Sequence, residues 1–238
     1  MNKPRSESLF HFTKNYENLV NILHNGFKPS YCLEDKRWLG LDNGDAWAYP
    51  MLCFCDIPLS RISSHTGRYG NYGIGLTKDW GLRNKLTPVI YTANDSPAAD
   101  VARHLILSYF SNPPQQNASE SNRFFYRLMS LIKPIKGIQY PNTSQEIDFY
   151  QENEWRLVPE VPHGREALDQ GYFEILKDEY FLDAVLFKPN DIKYLFVESD
   201  SEIPTLWDSI YSSGCFSLDE RKNLTTKIFS LETLKRDI

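Results

Sequence analysis

Hydrophobic and polar positions alternate over residues 8–13, and the apolar residues Tyr16, Leu19, Ile22 and Leu23 then follow at helical spacing. A strand leading into a helix over residues 16–25 is the prediction, with Gly26 as the helix stop. Residues 27–50 carry turn formers and charges, among them Lys36, Arg37, Asp42, Asn43, Gly44 and Asp45, and keep no stable period. They read as a loop with short pieces of structure. Apolar runs predict strands at 51–57, ending at Pro58, at 72–77 and at 88–92, with a turn or short helix at 78–85. Ser96-Pro97 signals a helix over 98–110 with Val101, Leu105 and Tyr109 on one face; a polar loop and a second helix over 123–133 follow.

Beyond this helical stretch, short strands are expected at 135–140 and in the second half of 149–158. Extended backbone there puts Glu152, Glu154 and Arg156 on one face and Trp155 and Leu157 on the other. A short pairing run at 172–176, strands at 184–187 and 193–197, a helix over 202–213 closed by Gly214, a turn at 219–223 and a last strand at 227–231 complete the reading. The sum is an α+β fold with mixed strands and flanking helices, one domain over residues 1–238 with a helical insertion at about 95–133.

Composition narrows this picture only in places. With 238 residues, 41% of them hydrophobic, the chain can bury a full core. Its net charge of −5 and pI near 5.6 argue against a broad duplex-binding surface. The 14 tyrosines, 14 phenylalanines and 5 tryptophans serve packing or stacking equally well. No apolar run approaches the ~18 residues that span a bilayer, and the polar start MNKPRSES shows no secretory signal, so a soluble cytoplasmic protein with reduced cysteines is expected. Cys53 and Cys55, with Cys32, read as small buried thiols rather than metal ligands. His65, His104 and His163 lack zinc-site spacing, and Ser63 and Ser64 lack the frame of a nucleophile elbow.

The densest candidate chemistry lies in residues 65–76, where Gly67, Gly70, Gly73 and Gly75 alternate with His65, Arg68, Tyr69 and Tyr72. Glycines allow close backbone approach to a ligand, while rings and a cation flank it. The order G-x-x-G-x-G reverses the dinucleotide fingerprint, and no long helix is predicted after it, which excludes a Rossmann site. The plainer alternative is a tight hairpin with packed tyrosines, in which Glu154 and Arg156 form an ion pair.

His11 with Thr13, the segment from Tyr69 to Tyr72, and Glu152-Asn153-Glu154 occur in an order that resembles the ADP-ribosyltransferase fold. Phe12 stands where the polymerase-type branch of that superfamily has glycine. The resemblance implies a split mixed or antiparallel sheet and NAD as substrate. In it Glu154, with Glu152, stabilises an oxocarbenium-like ribose. It further implies that His11 and Thr13 hold the adenosine ribose and the carboxamide, that Tyr69 or Tyr72 stacks on nicotinamide, and that Arg68 pairs with the pyrophosphate. The acceptor would be a protein or a nucleic acid.

A longer resemblance runs through LFHFTKNYENLVNILHNGF, CFCDIPLS, YGNYGIGLTKDW, the following PVIY, and NEWRLV. In order and spacing these are similar to the AbiGi family of bacterial abortive-infection proteins. That resemblance implies phage defence as the antitoxin half of a toxin–antitoxin pair, with a cognate toxin as partner. Two readings follow: an NAD-dependent ADP-ribosyltransferase, or a non-catalytic antitoxin that binds its toxin or holds down its expression.

Overall fold

The computed structural model describes residues 6–40, 46–111, 119–140, 146–162, 165–176 and 182–237. In chain order the elements begin with β1 (Ser8–Thr13), α1 (Tyr16–Asn25), β2 (Ser30–Asp35), β3 (Ala46–Cys55), α2 (Ile62–Tyr69), β4 (Tyr72–Thr77) and α3 (Lys78–Arg83). Next come β5 (Thr87–Pro88), β6 (Ile90–Thr92), α4 (Pro97–Ser111), α5 (Ser119–Met129), β7 (Ile132–Pro134), β8 (Lys136–Ile138) and β9 (Glu146–Asp148). The chain closes with β10 (Glu154–Leu157), β11 (Leu168–Asp169), α6 (Gln170–Leu176), β12 (Ile192–Val197), α7 (Ile203–Ser212), α8 (Leu218–Thr225), β13 (Ile228–Ser230) and α9 (Leu231–Asp237). Helices and mixed sheets make this an α+β protein. Two compact units emerge: Met1–Lys28, Cys53–Leu86 and Ala184–Ile238 form the first, and Pro29–Leu52 with Thr87–Asp183 the second.

In the first unit the strand order is β13-β12-β4-β1, antiparallel except for the parallel β12–β13 pair. β4 runs through the middle, and its glycines explain why. Phe10 and Tyr194 lie opposite Gly75, and Phe12 and Phe196 lie opposite Gly73. Four rings therefore meet over a strand with no side chains at those places, with centroids 5.7–6.3 Å apart from Phe12–Phe196 to Phe10–Phe12. A Cβ on Gly73 would come within 2.6 Å of the Phe12 ring, and one on Gly75 within 2.8 Å of Phe10. Ile62 of α2 and Leu231 of α9 complete this core. The opposite face of β1 carries Leu9 and His11; Phe27, Phe54 and Trp80 pack together on that side.

The second unit is built on the Ala46–Leu52 portion of β3, which pairs antiparallel with β2 and with β11. Smaller pairs are β10 with β5, parallel β6 with β7, and β8 with β9. Trp47 meets Tyr126 of α5 and Phe110 of α4, and Tyr109 stacks on Phe125 at 4.0 Å. α4 buries Ala99, Ala102 and Ile106, whereas Val101 and Leu105 of the expected inner face are 59% and 41% exposed. Small alanines let the helix sit close to its support, and size outweighs hydrophobicity in choosing the face.

Several expectations change. The segment expected to be mostly loop contains all of β2 and the first half of β3, because its charges at Glu34, Asp35 and Lys36 are buried instead of solvated. Residues 42–45 and His163 lie outside the described residues. The second insertion helix ends at Met129, which frees Ile132 and Lys133 for β7. Residues 172–176 belong to helix α6, residues 219–223 to helix α8, and the strand expected at 184–187 is a single bridge between Val185 and Phe27. No disulfide links any of the four cysteines. Among the described residues no helix is long and apolar enough to cross a membrane, and no group of three or more side chains is arranged to hold a metal ion.

If the ring layer fixes the first unit, Gly73→Ala lowers the unfolding free energy by about 1–3 kcal/mol in urea denaturation, the range of core overpacking. Gly67→Ala, in open space on α2, instead gains about 0.5–1 kcal/mol from helix propensity.

Candidate functional site

The residues 65–76 do not form one wall. Their first part is helix α2, where Tyr69 stacks on His65 at 4.5 Å and packs against the Phe10–Phe12 core, while Arg68 is exposed. Gly70, at φ 117°, turns the chain into β4. Tyr72 then lies opposite Thr13, on the face that alternates with Phe12. Tyr69 and Tyr72 thus serve opposite faces of the same sheet. Gly73 and Gly75, expected to admit a ligand, admit the Phe12 and Phe10 rings.

β1 and β4 bring His11, Thr13 and Tyr72 to one face. His11 Nδ1 donates to the Cys53 carbonyl at 2.9 Å, and its ring lies 5.3 Å from Phe27 and 5.5 Å from Phe54. Burial pushes its pKa below the ordinary value, against the opposing effect of the Cys53 hydrogen bond, and so favours the neutral ring. Thr13 Oγ1 accepts from Asn18 Nδ2 at 3.0 Å. The Tyr72 hydroxyl donates to Glu202 Oε1 at 2.7 Å, and that anionic acceptor, together with burial, holds the phenol well above its usual pKa. Glu202 Oε2 accepts from the backbone N–H groups of Glu198 and Ser199, capping the turn before α7. Tyr72 and Glu202 line an open cleft of about 450 Å³ with Lys14, Tyr16, Glu17 and Thr205. No sequence signal tied Glu202 to Tyr72, since 130 residues separate them.

Glu152 and Glu154 belong to the second unit, where they enter a buried network of charges. β10 places Glu154 and Arg156 two residues apart on one face, and the guanidinium holds the carboxylate through Nε to Oε1 at 2.8 Å and Nη2 to Oε2 at 2.9 Å. Arg156 Nη2 also donates to Glu34 Oε1 at 2.9 Å, and Nη1 to the Ser130 carbonyl at 2.5 Å. Glu152 is not in the strand. It ends the 3₁₀ turn Phe149–Glu152, and Asn153, in the left-handed region at φ 43°, redirects the chain into β10. Lys133 on β7 then donates to Glu152 Oε2 at 3.2 Å and Glu154 Oε2 at 3.0 Å, and lies 3.9 Å from Glu34.

Burial alone would lower the Lys133 pKa, but Glu152, Glu154 and Glu34 outweigh it and hold the ammonium well above its ordinary value. Lys36 fares differently: burial, only partly offset by Glu34, brings it down to about 7. Its Nζ lies 4.8 Å from the Tyr49 ring centroid and donates to the Met129 carbonyl at 3.4 Å. The Tyr91 hydroxyl accepts the Glu154 backbone N–H at 2.9 Å and is pushed above its usual pKa by burial and by Glu154. Three carboxylates thus face three basic groups in an interior from which water is nearly excluded: Glu34, Glu152 and Glu154 are 9%, 4% and 6% exposed.

Both oxygens of Glu154 are engaged by cations. Sequence reasoning found the Glu154–Arg156 pair and missed Glu34, Lys36 and Lys133. The polar spacing of β2 read as solvated, and Lys133 read as the end of a helix.

The family described as "Putative abortive phage resistance protein AbiGi, antitoxin" matches residues 25–198. A curated "Abortive phage resistance protein AbiGi" from Lactococcus lactis subsp. cremoris is 28% identical over 209 residues, covering 73% of this chain and 82% of that protein. No solved structure matches the chain.

Two measurements probe the charge network. Arg156→Leu leaves Glu34 and Glu154 without their guanidinium and is expected to cost about 3–5 kcal/mol of unfolding free energy. For Lys36, the folded pKa of about 7 lies below the ordinary value of 10.5. The unfolded chain therefore holds a proton that the folded chain has shed between those values, and stability contributed by this group rises with pH across that window. Lys36→Met removes the effect. Urea unfolding is expected to show the variant's advantage over wild type larger at pH 6 than at pH 9; an advantage independent of pH contradicts it.

Proposed function

The chain belongs to the AbiGi family of abortive phage resistance proteins, and from that premise we propose that it is the antitoxin of a phage-defence pair and acts by binding its toxin as a protein partner. The observation that carries this reading is the engagement of Glu152 and Glu154 by Lys133 and Arg156 in a buried network. A carboxylate that stabilises a developing positive charge on a sugar must face that sugar. These two face internal cations instead, and the family description as an antitoxin accords with a protein whose work is done by its surface. The transferase reading rests on the order of His11, Tyr72 and Glu154. Its carboxylates are those of the charge network, and its histidine is packed among Phe27 and Phe54.

Co-expression with the product of the neighbouring gene tests the proposal. The tagged chain is expected to retain that product through affinity and size-exclusion steps and to relieve the growth arrest it causes, while purified chain incubated with NAD releases no nicotinamide above a protein-free blank. Steady nicotinamide release, or relief of growth arrest with no complex at micromolar concentration, would count against it.

A further inference from the structure

The cleft beside Tyr72 does not end there. A second concavity of about 580 Å³ adjoins it along α1 and α7, sharing Tyr16, Glu17 and Thr205, and continues past Asp208 to His24. The two form a groove in the first unit between the exposed sides of α1 and α7. At its centre Tyr16 and Tyr72 meet edge to face, with ring centroids 5.9 Å apart. Glu17, Asp208 and Glu202 lie about Tyr16, and burial, with their charges added, pushes its phenol above the ordinary pKa.

These three carboxylates differ from the carboxylates buried in the two cores. Asp35, Asp56, Asp191, Glu34, Glu152 and Glu154 are each held by a lysine or arginine. Among the described residues, Glu17, Asp208 and Glu202 form no ion pair. The partial positive charges of two helix starts, roughly half a unit each, and the single Lys14 do not balance three carboxylates. Further along, His24 Nε2 is buried in the groove lining with no hydrogen-bond partner. A concave surface that joins carboxylates without an ion partner, the partly exposed Tyr16 ring and a polar atom without a hydrogen-bond partner suits a cation. Carboxylates give charge-assisted hydrogen bonds, and the Tyr16 ring gives the cation–π contact that favours arginine over a compact inorganic ion.

We propose that the α1–α7 groove of the first unit is the docking site for an arginine-bearing basic segment of the partner protein. This rests on the reading of the chain as a toxin-binding antitoxin and names the face that would do the binding. Its length suits a short segment: the ten residues of α1 rise about 15 Å, enough for some four or five extended residues.

The test uses the full chain and the Glu17→Gln/Asp208→Asn variant. Both side chains are exposed and absent from the core, and Glu202, which caps a turn, is left alone. Equal thermal midpoints for variant and wild type establish that both are folded. A hexa-arginine peptide is titrated into each and followed by isothermal titration calorimetry, with hexa-glutamate as the opposite-charge probe and Glu120→Gln, on α5, as the control. Saturable binding of hexa-arginine by wild type and the control, at least tenfold weaker in the double variant and absent for hexa-glutamate, supports the groove. Equal affinity in wild type and double variant, or no saturable binding to wild type, overturns it. In parallel the neighbouring gene's product is captured on each protein. Capture by wild type and equal capture by the double variant overturns the groove while leaving the antitoxin reading standing. Failure of wild type to capture it removes the antitoxin reading, and the peptide titration still decides whether the groove takes a basic segment.

Discussion

The packing of Phe10, Phe12, Tyr194 and Phe196 over Gly73 and Gly75 is the constraint on which the first unit depends. Two flanking strands bring large rings toward the same strip of β4, and only a strand without Cβ atoms there leaves them room. Each ring buried in this way contributes on the order of 2–3 kcal/mol from apolar area. The register is correspondingly strict, because a one-residue slip would put Ile74 or Tyr72 under the rings. That register carries Tyr72 to the opposite face, opposite Thr13 and near α1, where it meets Tyr16 and Glu202. The groove between α1 and α7 is thus a consequence of the aromatic packing on the other side of the sheet.

The second unit is held by a different balance. Glu34, Glu152, Glu154, Lys133 and Arg156 give up hydration worth several kcal/mol per ion, and recover it because the Arg156 fork and the Lys133 ammonium donate to both oxygens of Glu154 and to one each of Glu34 and Glu152. Such a network specifies one arrangement of β2, β7 and β10 more than it adds stability. Lys36 marks its limit: burial, which Glu34 offsets only in part and to which Arg156 and Lys133 add, lowers its pKa to about 7. This economy is structural, and it explains why an E-x-E sequence can occur without an open carboxylate.

Much of the fold was legible because local rules were obeyed. β1, α1 and β4 follow from alternation, helical spacing and the stop at Gly26. β2 and the start of β3 were hidden because Glu34, Asp35 and Lys36 are polar yet buried, and a hydrophobic pattern cannot register a paired charge. The glycines of β4 carried a real signal of close approach, but sequence alone does not say whether a ring of the same chain or a ligand makes that approach. Glu154 and Arg156 were visible as neighbours on a strand; Lys133 and Glu34, brought in from distant strands, were not. The Tyr72–Glu202 contact was equally invisible. The family resemblance was legible in long strings such as CFCDIPLS, which no periodicity argument reads.

The central proposal is that this AbiGi-family chain acts through partner binding and that Glu154 serves as a structural anion. The most direct measurement is the dissociation constant, by isothermal titration calorimetry, for the neighbouring gene's product with wild type and with Glu154→Gln, each shown to be folded by circular dichroism. The substituted amide keeps an oxygen for Arg156 or Lys133 and leaves the surface unchanged, so the two constants are predicted to agree within about threefold, with relief of growth arrest preserved. A folded Glu154→Gln protein that binds its partner normally yet no longer relieves the arrest would contradict the account and return the carboxylate to catalysis.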